Sequence, residues 1–213
     1  MGILEMLGTA ASLSLLAGWR LYATVFAVGM AVKFGWWQLP DKLTHMSVLA
    51  NQWVLVVAGI GAVCEFFADK IAWLDSAWDA VHTFIRPVGG ALIAWSMISP
   101  QDPSMQVIFF LLGGGLAGLS HATKSGTRLM VNQSPEPFSN ILVSFAEEAA
   151  VAAGLWATMT HPYLVLSVSM VLTVVFTWVV YKLWKFLRRR WATIRGWFSG
   201  DAQPAFPSGQ AGT

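Results

Sequence analysis

The sequence predicts an all-α, polytopic transmembrane helix bundle. Of its 213 residues 56% are hydrophobic and 11% charged, against about 25% charged in an ordinary soluble domain. Residues 103–123 and 149–181 contain no Asp, Glu, Lys or Arg, and about 20 apolar residues suffice to cross the hydrocarbon of a bilayer. Twelve tryptophans suit the same setting, because indole rings prefer the headgroup zone. Intrinsic disorder is excluded, since it needs low hydrophobicity and high charge.

About six spans are expected, at residues 7–32, 52–70, 82–99, 106–123, 138–160 and 163–187. The first holds Arg20 in its middle, and the sixth begins after the His161-Pro162 break. The second and third are open to a re-entrant or tilted reading. MGILEMLG lacks the positive n-region of a secretory signal, so it reads as part of the mature chain. Residues 1–198 form one transmembrane domain. Residues 199–213, rich in Gly, Pro, Gln and Ala, read as a disordered tail.

Orientation follows Lys and Arg. With six spans, Lys70, Arg86, Lys124, Arg128 and the basic run from Lys182 to Arg195 share one side, and only Lys33 and Lys42 take the other. Both termini then lie in the cytoplasm. The run YKLWKFLRRRWATIRGWF reads as a basic amphipathic helix on that leaflet, with membrane lipids as its partner. The formal charge of +2 sits mostly in that run and does not imply nucleic acid. The single cysteine, Cys64, allows no intramolecular disulfide and reads as a small buried hydrophobe.

Ionisable groups at membrane depth are costly, and they face protein or a water-filled cavity. Arg20 is one. Glu65 and Asp69, four residues apart, share a helical face beside Lys70, and a close carboxylate pair tends to share a proton. Asp75, Asp79, His82 and Arg86 fall at i, i+4, i+7 and i+11, beside an apolar stripe of Leu74, Trp78, Val81 and Ile85. They read as an interfacial helix or, more sharply, as a pore lining, with Pro87 kinking the segment. His121, Lys124 and Arg128, at i, i+3 and i+7, form one basic face. Ser134-Pro135-Glu136-Pro137 is helix-start chemistry, and a helix N-terminus beside those bases suits an anion. Glu147 and Glu148 follow among small residues. Arg20 and the Glu65–Asp69 pair also have a plainer reading as internal charge pairing.

No metal, nucleotide or cofactor motif is present; the Gly113-Gly114-Gly115 run lacks the Lys-Ser/Thr ending of a phosphate loop. Two short matches, GWRL at 18–21 with GTRL at 126–129 and FAD at 67–69 with FAE at 145–147, point to an inverted three-plus-three repeat. A rival match relates residues 59–70 to 113–124 at a constant offset.

The blocks EFFADKIAWLDSAWDAVHTFIRPVGGAL and HATKSGTRLMVNQSPEPFSN, followed by the glutamate pair, resemble a bacterial inner-membrane family known as domain of unknown function 4126, over about residues 7–184. The resemblance implies a small multi-pass α-helical protein and supplies no substrate or catalytic residue. One departure is Ala72, where the family pattern has proline at a helix boundary.

The leading functional expectation is a transport protein, not an enzyme. A polar cavity lined by Arg20, Glu65, Asp69, Lys124, Arg128, Glu147 and Glu148 would hold a small ion, an anionic solute or a lipid headgroup, with a carboxylate coupling the movement to protons. A cation channel, a scaffold for another membrane protein or for a second copy of the chain, and a lipid-directed enzyme using Asp75, Asp79 and His82 are the alternatives.

Overall fold

The computed structural model describes residues 2–131 and 137–198. The polar stretch 132–136 and the tail 199–213 lie outside the described residues, as do the side chains of 42, 137, 138 and 190–198. Among the described residues seven α-helices follow one another: α1 Ile3–Trp19, α2 Leu21–Lys33, α3 Gln52–Ala68, α4 Ala72–Trp95, α5 Pro103–Val131, α6 Pro137–Thr160 and α7 Pro162–Phe198, with a 3-10 helix, Asp41–Ala50, between α2 and α3. The all-α bundle expected from composition is what forms. Helix starts follow backbone chemistry: α5, α6 and α7 each begin on proline, which lacks the amide hydrogen that a first turn leaves unpaired. Ala72 is the first residue of α4, so the departure noted there falls on the same kind of position.

Three helices are long and apolar enough to cross a membrane, Pro103–Val131, Ser139–Thr160 and Pro162–Arg189. A fourth span results if Leu43–Ala50 and Gln52–Ala68, bent by 68°, count as one. The chain is a membrane protein by that measure, with three or four such spans among the described residues and the shorter apolar helices Ile3–Trp19 and Leu21–Lys33 beside them. Two features set the remaining expected spans apart. Helix α4 carries Asp75, Asp79 and Arg86 along one stripe. The run 7–32 is not one helix.

That run breaks at Arg20, whose φ of −142° and ψ of 88° are not helical. Ser12 and Thr158 share a hydroxyl–hydroxyl hydrogen bond of 2.6 Å, a Cβ on Gly154 would meet Leu16, and Arg20 reaches Ser144 and Glu148. Helix α1 therefore descends as α6 ascends. Helix α2 then climbs back, since Arg20 and Glu148 line one end of a groove whose other end is lined by Ala27 and Leu155. The pair is a helical hairpin with Arg20 at its tip. The turn leaves few backbone groups stranded: Arg20 N–H donates to Leu16 O at 2.7 Å and Thr24 N–H to Arg20 O at 3.0 Å, while Lys124 Nζ donates to Trp19 O at 3.3 Å. Non-helical backbone at membrane depth survives only where protein or a cavity satisfies it.

The hairpin overturns the topology read from six spans. Gly8 packs on Pro162 and Leu166 and Trp19 on Phe176, so α1 and α7 run in parallel from one end of the bundle. Helix α7 has 37 residues, about 55 Å at 1.5 Å each. The start of α1 and the end of α7 consequently lie at opposite ends, not together. The repeat drawn from GWRL/GTRL and FAD/FAE fails on direction. Helices α1 and α5 run the same way (Ser14 beside Gly113, Leu15 O accepting from Ser120), whereas α3 and α6 are antiparallel, so no single inversion relates both matches.

Burial is inverted relative to a soluble protein. Phe84 is 78% exposed and Trp53 77%, while Glu65, Asp69 and Arg86 are at 0%. Apolar side chains face outward and the charges face one another. Cys64 lies on the outward face, contrary to its expected burial. An apolar core around Leu13, Leu16, Val28, Met97, Phe109 and Leu155 fills the end from which α1 starts.

Helices α1, α4 and α5 meet on small residues, as membrane helices do where backbones approach closely. A Cβ on Gly113 would fall 2.7 Å from Gly90 O, whereas one on Gly115 would meet nothing within 4 Å. Gly113→Val is expected to destabilise the detergent-solubilised protein by about 1–3 kcal/mol in thermal unfolding. Gly115→Ala in the same assay should stay within about 0.5 kcal/mol of wild type.

Candidate functional site

The hairpin tip reaches the half of the bundle away from the α1 start, and there it meets nearly every buried charge. Arg20 pairs with Asp69 at 2.7 Å and with Glu148 at 3.3 Å. Lys124 pairs with the same Asp69 oxygen at 2.9 Å and lies 3.7 Å from Glu147. Arg128 forks onto Glu147, Nε to Oε1 at 3.1 Å and an amino nitrogen to Oε2 at 2.7 Å. It also donates to Asp69 O and to Asn140. Lys70 pairs with Glu148 at 2.8 Å, and its ammonium sits 3.2 Å from the centroid of the Phe66 ring.

A second group lies beside the first. Arg86 pairs with Glu65 at 3.0 Å and with Asp79 at 2.9 Å. The Arg86 guanidinium also donates to His121 Nδ1 at 2.8 Å, which leaves His121 Nε2 as the protonated nitrogen, donating to Asp79 O at 3.2 Å. His82 Nδ1 donates to Trp78 O at 2.7 Å, and its Nε2 accepts from the Tyr22 hydroxyl at 3.2 Å. The Trp78 indole stacks on the His82 ring at 4.3 Å.

Helix periodicity explains how these residues converge. The stripe Asp75, Asp79, His82 and Arg86 is buried along its length, 0 to 4% exposed, and Val81 and Phe84 face outward. The interfacial reading of this helix is thereby reversed: its charges point into protein and its apolar side into lipid. The basic face of α5 (His121, Lys124, Arg128) is likewise buried, and it is occupied by the Asp79 carbonyl of α4, Asp69 at the end of α3 and Glu147 of α6. Glu65 and Asp69 share a face as expected but take different cations, so they do not act as one paired site.

All twelve singled-out residues, from Arg20 through Lys70 to Glu148, fall within these two groups. No described pocket is lined by all seven residues expected around one cavity. A groove of about 500 Å³ between α2, α3 and α6 ends at Arg20 and Glu148, and a pocket of about 200 Å³ between α4 and α5 reaches Asp79 and Arg128. Elsewhere the charges fill the space with each other. Ser144, which links Arg20, Lys70 and Glu148, escaped the sequence reading, although its i,i+4 spacing to Glu148 was a usable signal. Tyr22 and Asn140 carried no such signal.

The model of domain of unknown function 4126 (DUF4126) matches residues 7–182. The chain belongs to the DUF4126 family. That match spans the hairpin, the charge cluster and α7 as far as Lys182, which places the whole site inside the family domain. No curated protein and no solved structure matches this DUF4126 chain.

Within the cluster, Arg86 serves two buried carboxylates at once. Removing one member of a buried pair costs about 3–5 kcal/mol, because the other charge is left uncompensated. Arg86→Gln is expected to destabilise the protein by about that much in thermal unfolding. Adding Glu65→Gln to it should recover part of the loss, since one stranded charge is then gone.

Proposed function

We propose that this DUF4126 protein transports an anionic solute or lipid headgroup across the bacterial inner membrane, coupled to protons through Glu148. The observation that carries the reading is the hairpin break at Arg20, set inside the ion-pair cluster. Discontinuous helices meeting charged groups within the membrane are how many transporters build substrate and coupling sites.

Glu148 is the cluster member best placed to couple. Its side chain is 26% exposed, against 0 to 17% for the other ion-paired side chains. It lines the 500 Å³ groove and holds Lys70 and Arg20 together. A proton on Glu148 removes the charge that occupies both bases. Lys70 is then free to take an anion beside Arg20, which Asp69 still holds, so one proton and one anion enter the site together. Loss of the proton restores the pairs and expels the anion. The remaining bases stay matched to Asp69, Glu147, Glu65 and Asp79 throughout.

Lys70 lies at the hairpin-tip end of the bundle, where α7 carries Lys182, Lys185 and Arg188, and Lys33 lies at the other. The positive-inside rule puts the tip end in the cytoplasm, which leaves the start of α1 outside. From Pro162 to Lys182 is about 30 Å of helix, the thickness of the hydrocarbon.

Proteoliposomes adsorbed on a solid-supported membrane test the reading directly. Wild type should give transient currents when a proton gradient is imposed with a transported anion from a panel. Glu148→Gln should abolish the dependence on the gradient. Transport that stays equally pH-dependent in Glu148→Gln would remove the assignment.

A further inference from the structure

We infer that the groove between α2, α3 and α6 holds an anionic phospholipid, with one acyl chain along its apolar walls and the phosphate at the end marked by Arg20, Lys70 and Glu148. The inference deepens the transport reading by choosing lipid over solute, and it rests on that reading for the exchange at Glu148.

Shape makes the first argument. Each of three helices gives the groove two turns of wall, from Arg20 to Ala27, from Gly59 to Phe66 and from Glu148 to Leu155. Seven residues of helix are about 10 Å, so the groove of about 500 Å³ is elongated along the helices. Apart from Arg20 and Glu148 every lining residue is apolar, which offers a hydrated solute nothing along the way. The direction of the groove is that of a lipid. Trp19, next to the tip residue, packs on Phe176, six residues and about 9 Å of helix before Lys182. The charged end of the groove therefore lies toward the tip-end surface. The apolar end lies about 10 Å further in, near the middle of a hydrocarbon layer about 30 Å thick.

Charge makes the second. Lys70 stands at the charged end: its ammonium lies 2.8 Å from Glu148 Oε1 and 3.2 Å from the centroid of the Phe66 ring, and both of those residues wall the groove. Arg20, Lys70 and Ser144 all reach Glu148 through that one oxygen. The other Lys70 hydrogen bonds, to Phe66 O and Ser144 Oγ, are longer, at 3.3 Å. A neutral Glu148 therefore leaves an ammonium at the groove end, beside the Arg20 guanidinium that Asp69 holds, and a phosphate oxygen matches an ammonium donor. A phosphate that carries a hydrocarbon tail uses the walls as well as the charge. A second groove, of about 530 Å³ between α2, α3 and α4, serves as a control built into the fold. It is walled by residues such as Val57 and Leu92, and none of its lining residues is charged, so it accepts chains without selecting a headgroup.

Full-length protein in phosphatidylcholine vesicles tests the site with two photoreactive probes of identical chains, phosphatidylglycerol and diacylglycerol, the labelled residues being read by mass spectrometry. Phosphatidylglycerol should label the walls at Val63 and Phe67 about fivefold more than diacylglycerol does, the preference that one base gives an anionic lipid. At Val57 and Leu92, in the second groove, the two probes should label equally. Glu148→Gln, which removes the competing charge, should raise the preference, and Lys70→Gln should erase it. Ala152→Phe fills the groove from an exposed wall position, so the protein should keep its unfolding temperature while the preference at Val63 is lost. Glycerol phosphate, a headgroup without chains, should not displace phosphatidylglycerol at equal concentration. Equal labelling at Val63 in both wild type and Glu148→Gln overturns the inference, as does a preference that Lys70→Gln or Ala152→Phe leaves unchanged. Displacement by glycerol phosphate overturns it in favour of a free solute. A held lipid in a protein whose currents ignore the proton gradient would sink the transport reading and leave this site standing. Proton-coupled currents of a soluble anion, without any lipid preference, would do the reverse.

Discussion

Asp69 holds the molecule together. Two cations from different parts of the chain, Arg20 at the hairpin tip and Lys124 on α5, converge on one of its oxygens, and its backbone carbonyl accepts from Arg128 and Asn140. Through this one residue the tip of α1 and α2 is tied to α3, α5 and α6. The arrangement is forced by the solvent. A charge surrounded by hydrocarbon has no water to fall back on, so each one seeks an opposite charge inside the protein. The break at Arg20, the inward stripe of α4 and the basic face of α5 are three answers to that requirement.

The same constraint explains the division of the interior. Toward the end where α1 starts, Leu13, Leu16, Val151 and Leu155 pack as an ordinary apolar core. Toward the hairpin tip, polar pairing takes over. Between helices, close contact rests on Gly18, Gly90 and Gly113, since lipid offers no hydrophobic gain for burying larger side chains. A stable bundle therefore forms with its largest apolar groups outside.

Much of this was legible in the sequence. The stripe from Asp75 to Arg86 and the face from His121 to Arg128 follow from helical spacing alone, and both are buried with the partners that charge demands. Which acid meets which base was not legible, because Arg20 and Asp69 are 49 positions apart and only packing selects the pair. The hairpin was hidden for a related reason. Residues 7–32 are apolar on both sides of Arg20, and hydropathy cannot distinguish one straight helix from two that turn back. A single residue's backbone angles make that difference.

The hairpin also bears on how the protein is made. Arg20 leaves the ribosome before Asp69, Ser144 and Glu148 exist to receive it. An arginine at membrane depth without a partner is costly, so α1 and α2 cannot settle in their final place until α3, α5 and α6 have been synthesised. The first helices of the chain are the last to be seated. Biogenesis then ends with the N-terminal segment closing into a bundle assembled from later helices, and a chain truncated before Glu148 would hold its first two helices without their complete seat.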